Sequence, residues 1–195
     1  MLILGLTGKT GAGKSTVAAY LEKKGCFVID GDKAAREIVL PSSPALRELA
    51  QAFGEDIILA DGSLDRKELA RRAFSSRDKT ELLNSITHPH IKRRFEELIA
   101  EGEKRGFDVA VIDAAALLES DCRQLCEKII VVHADEKLRL QRILDRDKIT
   151  TEQAVTRING QREDNYYFTQ ADIIIYNNEN TSLETELDKL KELIP

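Results

Sequence analysis

A chain of 195 residues, with 42% hydrophobic and 32% charged residues, has the size and composition of one globular domain, which excludes a disordered, fibrous or collagen-like chain. The formal net charge of -5 disfavours a broad nucleic-acid-binding surface, because such surfaces are basic, but allows a small phosphorylated ligand held by a local group of positive charges. No stretch approaches the roughly 18 apolar residues of a membrane span, and the first residues lack a basic region and a cleavage site, so we expect a cytoplasmic protein that binds neither membrane nor nucleic acid.

Five short, continuous apolar runs predict strands that are buried on both faces. They lie at residues 2–6, 26–29, 109–112, 129–132 and 173–175. Apolar residues at three- and four-residue intervals predict amphipathic helices at 15–24, 135–147, 151–164 and 183–194. The alternation of strands and helices predicts an α/β fold, with a five-stranded parallel sheet flanked by helices.

The segment between the second and third predicted strands has a different pattern. Residues 33–106 contain helix-like segments at 44–53, 65–74 and 89–104 but no convincing strand. Within them, His88-Pro89 is typical of a helix that starts at the proline, although contact with a ligand is the alternative. We therefore expect a single domain with a core at 1–32 and 107–195 and a helical insertion at 33–106.

The residues after the first predicted strand carry the strongest functional signal. From Gly8 to Ser15 they read G-K-T-G-A-G-K-S, which matches the phosphate-binding pattern G-x-x-x-x-G-K-[ST] between a strand and a helix. Glycines allow backbone amides to surround phosphate oxygens, Lys14 can reach the terminal phosphates, and Ser15 can ligate Mg²⁺. The pattern predicts phosphoryl transfer from ATP. The expected ATP contacts are Gly11, Ala12, Gly13, Lys14, Ser15 and Thr16, and Lys14 is also expected to be catalytic.

Aspartates follow the second and third predicted strands. Ligands bind beyond the carboxyl ends of parallel strands, so Asp30, Asp32 and Asp113 are candidate site residues. Asp113 is a candidate magnesium ligand together with Ser15. Asp32 is our choice for the carboxylate that orients an acceptor hydroxyl and accepts its proton, with Asp30 as the rival. A turn and a helix cap at 30–32 would explain the same residues without catalysis.

Three arginines share one face of the helix predicted at 135–147. Arg139, Arg142 and Arg146 are three and four residues apart, so a mobile lid could direct their guanidinium groups at ATP phosphates. A solvated helix carrying many charges would have the same pattern, and this alternative is strongest for Arg139. We expect Arg142 and Arg146 to bind ATP, and Arg142 also to be catalytic.

In this order and spacing, the motifs resemble those of the dephospho-CoA kinase family over almost the whole chain. Besides the phosphate-binding loop they include V-I-D-G-D at 28–32, His88-Pro89, L-Q-R followed by R-D within 140–147, and Gln161. The chain differs from the family pattern at Ala115, Ala116, Tyr167, Tyr176 and Glu179.

The resemblance implies a P-loop kinase that transfers the γ-phosphoryl group of Mg-ATP to the ribose 3′-hydroxyl of dephospho-CoA, the final step of coenzyme A biosynthesis. It implies that Asp32 is the catalytic base, that a lid lies at about 139–165 within the core, and that the insertion receives the coenzyme A moiety. The implied substrate contacts are Thr7, Asp32, Arg36 and His88.

A kinase for a nucleoside or nucleoside monophosphate is the nearest alternative function, because the catalytic core is shared among such kinases and the acceptor pocket is not. A regulatory NTPase is a more distant alternative. The oligomeric state stays open.

Overall fold

The structure is a computed structural model, and it describes residues 1–194. The chain forms two compact units. The first contains residues 1–29 and the described residues from Ile99 onward, and the second contains Asp30–Leu98. None of the helices described within residues 1–194 combines the length and apolar character of a membrane-spanning segment.

A five-stranded sheet organises the first unit. Its strands are β1 (Leu2–Gly8), β2 (Phe27–Asp30), β3 (Val109–Asp113), β4 (Lys128–His133) and β5 (Ile173–Tyr176). The strand order is β2-β3-β1-β4-β5, and β1 pairs in parallel with both β3 and β4, while β4 pairs in parallel with β5. The five predicted strands and the parallel sheet are therefore confirmed. The sheet order places the carboxyl end of β1 between those of β3 and β4.

Nine α-helices are present within residues 1–194. They are α1 (Lys14–Lys23), α2 (Gly31–Glu37), α3 (Pro44–Phe53), α4 (Arg66–Ala73), α5 (Arg77–Lys104), α6 (Glu136–Asp147), α7 (Thr151–Asn159), α8 (Asp164–Phe168) and α9 (Leu183–Leu187). Short 3-10 segments occur at Glu55–Ile57, Leu117–Glu119, Asp121–Leu125 and Asp188–Leu190.

The core of the first unit forms where α1 packs on the sheet. Helix α1 buries Val17, Ala18 and Leu21, and these side chains join a cluster with Leu4 and Leu6 of β1. Residues from β3, β4 and β5 complete the cluster. Both elements that flank the phosphate-binding loop are thus fixed by burial, because each contributes fully buried side chains to one core.

Two helices of the first unit are shorter than predicted. The segment predicted as one helix at 151–164 divides into α7, which ends before Gly160, and α8, which begins at Asp164. Glycine is a poor helix former, so the break falls where the propensity is lowest. The segment predicted at 183–194 is helical only to Leu187 and continues as a 3-10 turn.

Helices α6 and α7 share a small apolar cluster of their own. Ile143 of α6 and Ala154 and Ile158 of α7 are buried in it. Lys148 ends α6 in a left-handed conformation, with φ of 53°. Thr150 then starts α7, and its side chain and that of Gln153 cap each other's backbone amides. The two helices therefore pack as a pair with a sharply defined connection.

The second unit consists of helices around a separate apolar cluster. Buried residues of α3 and α4, among them Leu49, Phe53 and Leu69, form this cluster. Its helix starts are well specified: Ser43 caps α3 ahead of Pro44, and Asp65 caps α4. No extended strand is present among residues 31–98, where one isolated antiparallel bridge joins Ile58 and Leu64.

The prediction of a helix start at Pro89 is wrong, because Pro89 lies inside the 28-residue helix α5. A proline in a helix interior removes one backbone hydrogen bond and crowds the preceding turn. The helix continues through this position because Leu82, Leu83 and Ile86, one to two turns earlier, pack on the apolar cluster of the second unit. Tertiary packing thus overrides the local helix-breaking signal.

Candidate active site

The phosphate-binding loop is a tight turn between β1 and α1. Strand β1 ends at Gly8, and α1 begins at Lys14, with Gly13 as its N-cap. Gly11 and Gly13 have φ of 79° and 95°, which L side chains rarely adopt. The first amides of a helix have no intrahelical acceptor, so the amides at the start of α1 are available to an anion. Ser15 and Thr16, in this first turn, are exposed.

An ion pair joins the loop to the end of β3. Lys14 Nζ contacts Asp113 Oδ1, and the two side chains are 23% and 16% exposed. The register of the sheet explains the contact, because Asp113 pairs with Leu6, two residues before the loop begins. The predicted convergence of the P-loop lysine and the β3 carboxylate is present in the structure.

Thr7, a predicted substrate contact, is the residue of β1 directly before Gly8, where the loop begins. Its side chain is fully buried, and Oγ1 donates a hydrogen bond to the carbonyl oxygen of Ala115 at 3.1 Å. This bond ties the end of β1 to the segment that follows β3. Thr7 therefore fixes the position of the strand end at which the loop begins.

Arg142 approaches the loop from α6. Its Nη1 lies 3.3 Å from the carbonyl oxygen of Gly11 and 3.4 Å from that of Ala12. Its Nη2 donates to the carbonyl oxygen of Asn177 at 3.1 Å. The side chain of Asn177 in turn donates from Nδ2 to Ala12 at 2.9 Å. Arg142 is thus a cation beside the phosphate cradle.

Arg146 pairs with a carboxylate in the same helix. Its guanidinium donates twice to Asp147, from Nε at 2.7 Å and from Nη2 at 2.9 Å. Arg157 of α7 donates to the same carboxylate at 2.5 Å. The hydrogen bond from Arg146 lowers the pKa of Asp147 to about 2. Of the two predicted ATP-binding arginines, only Arg142 contacts the loop in this structure.

The burial of Arg139 contradicts the alternative interpretation that this side chain lies on a solvated helix face. It is 2% exposed, with Nε donating to the carbonyl oxygen of Thr10 at 2.9 Å and Nη2 donating to Gln161 Oε1 at 3.2 Å. Desolvation lowers the pKa of this guanidinium. The helix spacing correctly placed the arginines near one another, but α6 turns Arg139 into the protein and leaves Arg146 61% exposed.

The second unit holds the acidic pair that follows β2. Asp30 caps α2, because its Oδ1 accepts a hydrogen bond from the amide of Lys33 at 2.9 Å. The helix-cap interpretation is therefore confirmed for Asp30. Asp32 lies exposed in the first turn of α2, and Arg36, one turn later, is exposed as well. Both aspartates are exposed, and the capping bond of Asp30 is what distinguishes them.

His88 lies in the middle of α5 and is partly buried. The neighbouring His90 contacts Glu48 of α3 at 3.2 Å, within the second unit. The structure thus gathers the P-loop, Lys14, Asp113 and Arg142 in the first unit. Asp32, Arg36 and His88 belong to the second unit.

Sequence reasoning assigned no contact with the loop to Asn177, Gln161 or Asp164, although Gln161 is part of the family resemblance. Asn177 follows β5, so the rule that site residues follow parallel strands could have identified it. Gln161 lies in the turn between α7 and α8, and its Oε1 accepts a hydrogen bond from the amide of Thr10 at 3.0 Å. The family resemblance includes Gln161, but no local pattern predicts that its partner is Thr10, 151 residues away.

The comparisons with known proteins agree with this geometry. The model of the dephospho-CoA kinase family matches residues 2–183. A dephospho-CoA kinase of Corynebacterium glutamicum is 42% identical over 191 residues, which cover 97% of this chain and 96% of the relative. One from Shouchella clausii is 39% identical over 181 residues, covering 91% of this chain and 92% of the relative.

Solved structures are similar along the whole chain. A crystal structure of a Thermus thermophilus protein matches with a TM-score of 0.78 and 28% identity, covering 98% of this chain and 95% of the other. Dephospho-CoA kinase from Campylobacter jejuni matches with a TM-score of 0.61 and 25% identity, covering 98% and 96%. With a family model that spans nearly all of its residues and a full-length relative at 42% identity, the chain belongs to the dephospho-CoA kinase family.

Proposed function

We propose that this chain transfers the γ-phosphoryl group of Mg-ATP to the ribose 3′-hydroxyl of dephospho-CoA. The observation that carries the proposal is the P-loop with Lys14, Asp113 and Arg142 gathered around it, in a chain that belongs to the dephospho-CoA kinase family. ATP and dephospho-CoA are cytoplasmic metabolites, so we place the reaction in the cytoplasm. Phosphoryl transfer depends mainly on positioning and on stabilising charge, which is what these groups supply.

The loop and the two cations define the donor site. Backbone amides at the start of α1 bind the phosphate oxygens, and Lys14 reaches the terminal phosphates. Arg142 adds a planar guanidinium that stays charged and donates to phosphate in a bidentate manner. Its Nη1 now has backbone carbonyl oxygens at 3.3 and 3.4 Å, which are weak enough to be exchanged for phosphate oxygens, while Nη2 is held by the carbonyl oxygen of Asn177 at 3.1 Å. Arg146, which is 61% exposed, would join them when the part of the proposed lid at about 139–165 that lies between Arg139 and Gln161 closes over ATP.

The residues at the loop suit magnesium. Ser15 supplies a hydroxyl oxygen and Asp113 a carboxylate oxygen, which are hard ligands of the kind that Mg²⁺ prefers. Among residues 1–194 no three His, Cys, Asp or Glu side chains are grouped to hold a metal. This fits an ion that keeps water and phosphate oxygens as most of its ligands and takes one or two from the protein. When bound, Mg²⁺ would neutralise charge on the transferred phosphate.

Asp32 is the proposed catalytic base that acts on the acceptor hydroxyl. It orients the 3′-hydroxyl and accepts its proton as the bond to phosphorus forms. Two observations support Asp32 over Asp30. Asp30 is engaged as a helix cap through its bond to the amide of Lys33, and Asp32 matches the aspartate that is the proposed base in the family motif. Arg36 and His88 are proposed contacts of the coenzyme A moiety, which the helical unit at 30–98 would receive.

A product assay with a panel of acceptors tests the proposal. The purified chain is incubated with Mg-ATP and dephospho-CoA, and the product is analysed by mass spectrometry for one added phosphoryl group. Adenosine and AMP serve as competing acceptors, and release of inorganic phosphate is followed in parallel. We expect phosphorylation of dephospho-CoA alone. Preferential phosphorylation of adenosine or AMP would indicate the other kinase class, and phosphate release without an acceptor would indicate an NTPase.

A further inference from the structure

A buried arginine of α6 donates a hydrogen bond to the backbone of the phosphate-binding loop. Arg139 is 2% exposed, and its guanidinium donates to the carbonyl oxygen of Thr10 at 2.9 Å and to Gln161 Oε1 at 3.2 Å. Gln161 Oε1 also accepts the amide hydrogen of Thr10 at 3.0 Å. Both backbone polar groups of one P-loop residue are therefore bound by side chains that come from distant parts of the chain.

The neighbours of Thr10 are held in the same way. Lys9 Nζ pairs with Asp164 Oδ1 at 2.7 Å, at the start of α8. On the other side, Gly11 lies so close to α6 that an added Cβ would be 2.7 Å from the carbonyl oxygen of Arg139. Three consecutive loop residues thus rest on α6 and on the segment that joins α7 to α8.

The partners of Arg139 indicate why a cation is buried there. Its hydrogen bonds go to a backbone carbonyl and to a neutral amide. Desolvation lowers its pKa, and the charges of Asp164 and Glu136, neither of which is hydrogen-bonded to it, offset this in part. A buried arginine used for stability alone is normally paired with a carboxylate, because an unpaired buried charge is costly. Here the guanidinium instead fixes the orientation of a peptide group in the loop that must hold phosphates, and it adds positive charge behind that loop.

We infer that Arg139 is a positioning residue for Mg-ATP, which acts through Thr10 and shares that task with Gln161. The inference rests on the proposed function, because it assumes that the loop binds ATP. Arg139 itself touches no reacting atom. It fixes the backbone of Thr10 before the nucleotide arrives, so the loop does not have to be ordered during binding.

Chemically matched substitutions test the inference by titration of the full-length chain with a fluorescent ATP analogue and Mg²⁺. Arg139→Leu is expected to raise the Kd at least about tenfold, the equivalent of one lost charge-assisted hydrogen bond. Arg139→Lys keeps the charge but lacks the planar fork, so we expect an intermediate Kd. Unfolding midpoints in urea are measured for every variant.

Gln161 offers a sharper comparison, because its oxygen is the acceptor in both contacts. Gln161→Glu keeps an acceptor oxygen but adds a negative charge that offsets Arg139, so we expect it to weaken Mg-ATP binding less than Gln161→Leu does. Gln161→Leu removes the acceptor and should raise the Kd by about as much as Arg139→Leu. The double variant should exceed the single variants by less than about threefold, because both act on the same peptide group.

Leu187→Ala is the control for stability. Leu187 lies in α9, is 7% exposed, and packs on the core of the first unit. It should lower the urea midpoint and leave the Kd unchanged. The inference is overturned if Arg139→Leu and Gln161→Leu bind as wild type does, or if Kd simply follows the urea midpoint across all variants including Leu187→Ala. Failure of the wild-type chain to bind Mg-ATP would overturn the proposed function and this inference together.

Discussion

Replacing Gly11 by alanine separates the two reasons for which a glycine can be required in the loop. Gly11 has φ of 79°, and an added Cβ would lie 2.7 Å from the carbonyl oxygen and 3.0 Å from the Cα of Arg139. These are backbone atoms of α6 and cannot rotate away. Gly25, at the turn after α1, has φ of 84° but no heavy atom within 4 Å of its added Cβ. Gly25→Ala therefore carries the backbone strain without the clash.

The expected magnitudes follow from these contacts. A left-handed alanine costs about 1–2 kcal/mol relative to glycine, which is the whole expected effect of Gly25→Ala. Gly11→Ala adds about 1–3 kcal/mol, because the contact with α6 must be relieved by moving the loop or the helix. The total for Gly11→Ala is then about 2–5 kcal/mol. In a domain of this size each kcal/mol lowers the Tm by about 2–4 °C.

Urea unfolding and Mg-ATP titration together give the decisive measurement. We expect Gly25→Ala to lose some stability and to bind Mg-ATP as wild type does. Gly11→Ala should lose more stability and also bind Mg-ATP more weakly, because the displaced backbone belongs to the loop. Equal free energies of unfolding for the two variants, or unchanged Mg-ATP binding by Gly11→Ala, would refute the argument that α6 limits the side chain at Gly11.

The other predictions concern the acceptor base, the thiols and acid stability. Asp32→Asn is expected to lower kcat by about 10²–10⁴-fold with little change in Mg-ATP affinity, whereas Lys14→Ala should raise the Kd for Mg-ATP; a fully active Asp32→Asn enzyme would remove the assignment of the base. Desolvation raises the pKa of Cys126 to about 12, so its labelling by a thiol reagent should stay slow in the native protein between about pH 7 and pH 9. Labelling as fast as in urea would contradict its burial. Hydrogen bonds from Arg71, the largest cause, and from Arg72 lower the pKa of Glu68 to about 2, below the value of about 4.3 in an unfolded chain. The ionised carboxylate therefore stabilises the fold above about pH 4.3, and this effect is lost as the pH falls towards 2. Urea midpoints of Glu68→Gln and wild type should differ at about pH 6 and converge near pH 2, and a gap that is constant with pH would contradict this origin.

The parallel sheet could be predicted from sequence because each strand is a continuous apolar run, although only the three inner strands are largely buried and the edge strands β2 and β5 are partly exposed. The helices were predicted less well where local and tertiary signals disagree. Pro89 suggested a helix start, yet side chains one to two turns earlier anchor α5 on the core of the second unit. Gly160 is an ordinary residue of an amphipathic pattern in sequence, but in the structure it ends α7. Local propensity could not decide either case, because the deciding contacts are distant in sequence.

The candidate site could be predicted where a local motif or the end of a strand identifies the functional residue. The P-loop pattern specified Lys14, and the rule for strand ends specified Asp113, which the structure brings into contact. The three arginines of α6 illustrate the limit. Their spacing predicts that they lie along one helix face, but the environment of each depends on what covers that part of the face. Arg139 meets the back of the loop, Arg142 meets its rim, and Arg146 remains largely in solvent with Asp147.

Glycine is required in the loop for a second reason, which the sequence motif does not show: the packing of neighbouring residues against the loop. In the pattern G-x-x-x-x-G-K-[ST], Gly11 occupies a variable position, so phosphate binding alone does not require glycine there. The structure supplies the requirement, because the backbone of α6 at Arg139 lies against Gly11. At Gly13 an added Cβ would collide with the side-chain amide of Asn177, which also binds the loop. The loop is therefore shaped from both sides: its inner surface is suited to phosphate, and its outer surface is suited to α6 and to the residue after β5. A substitution on that outer surface should impair nucleotide binding without touching the nucleotide.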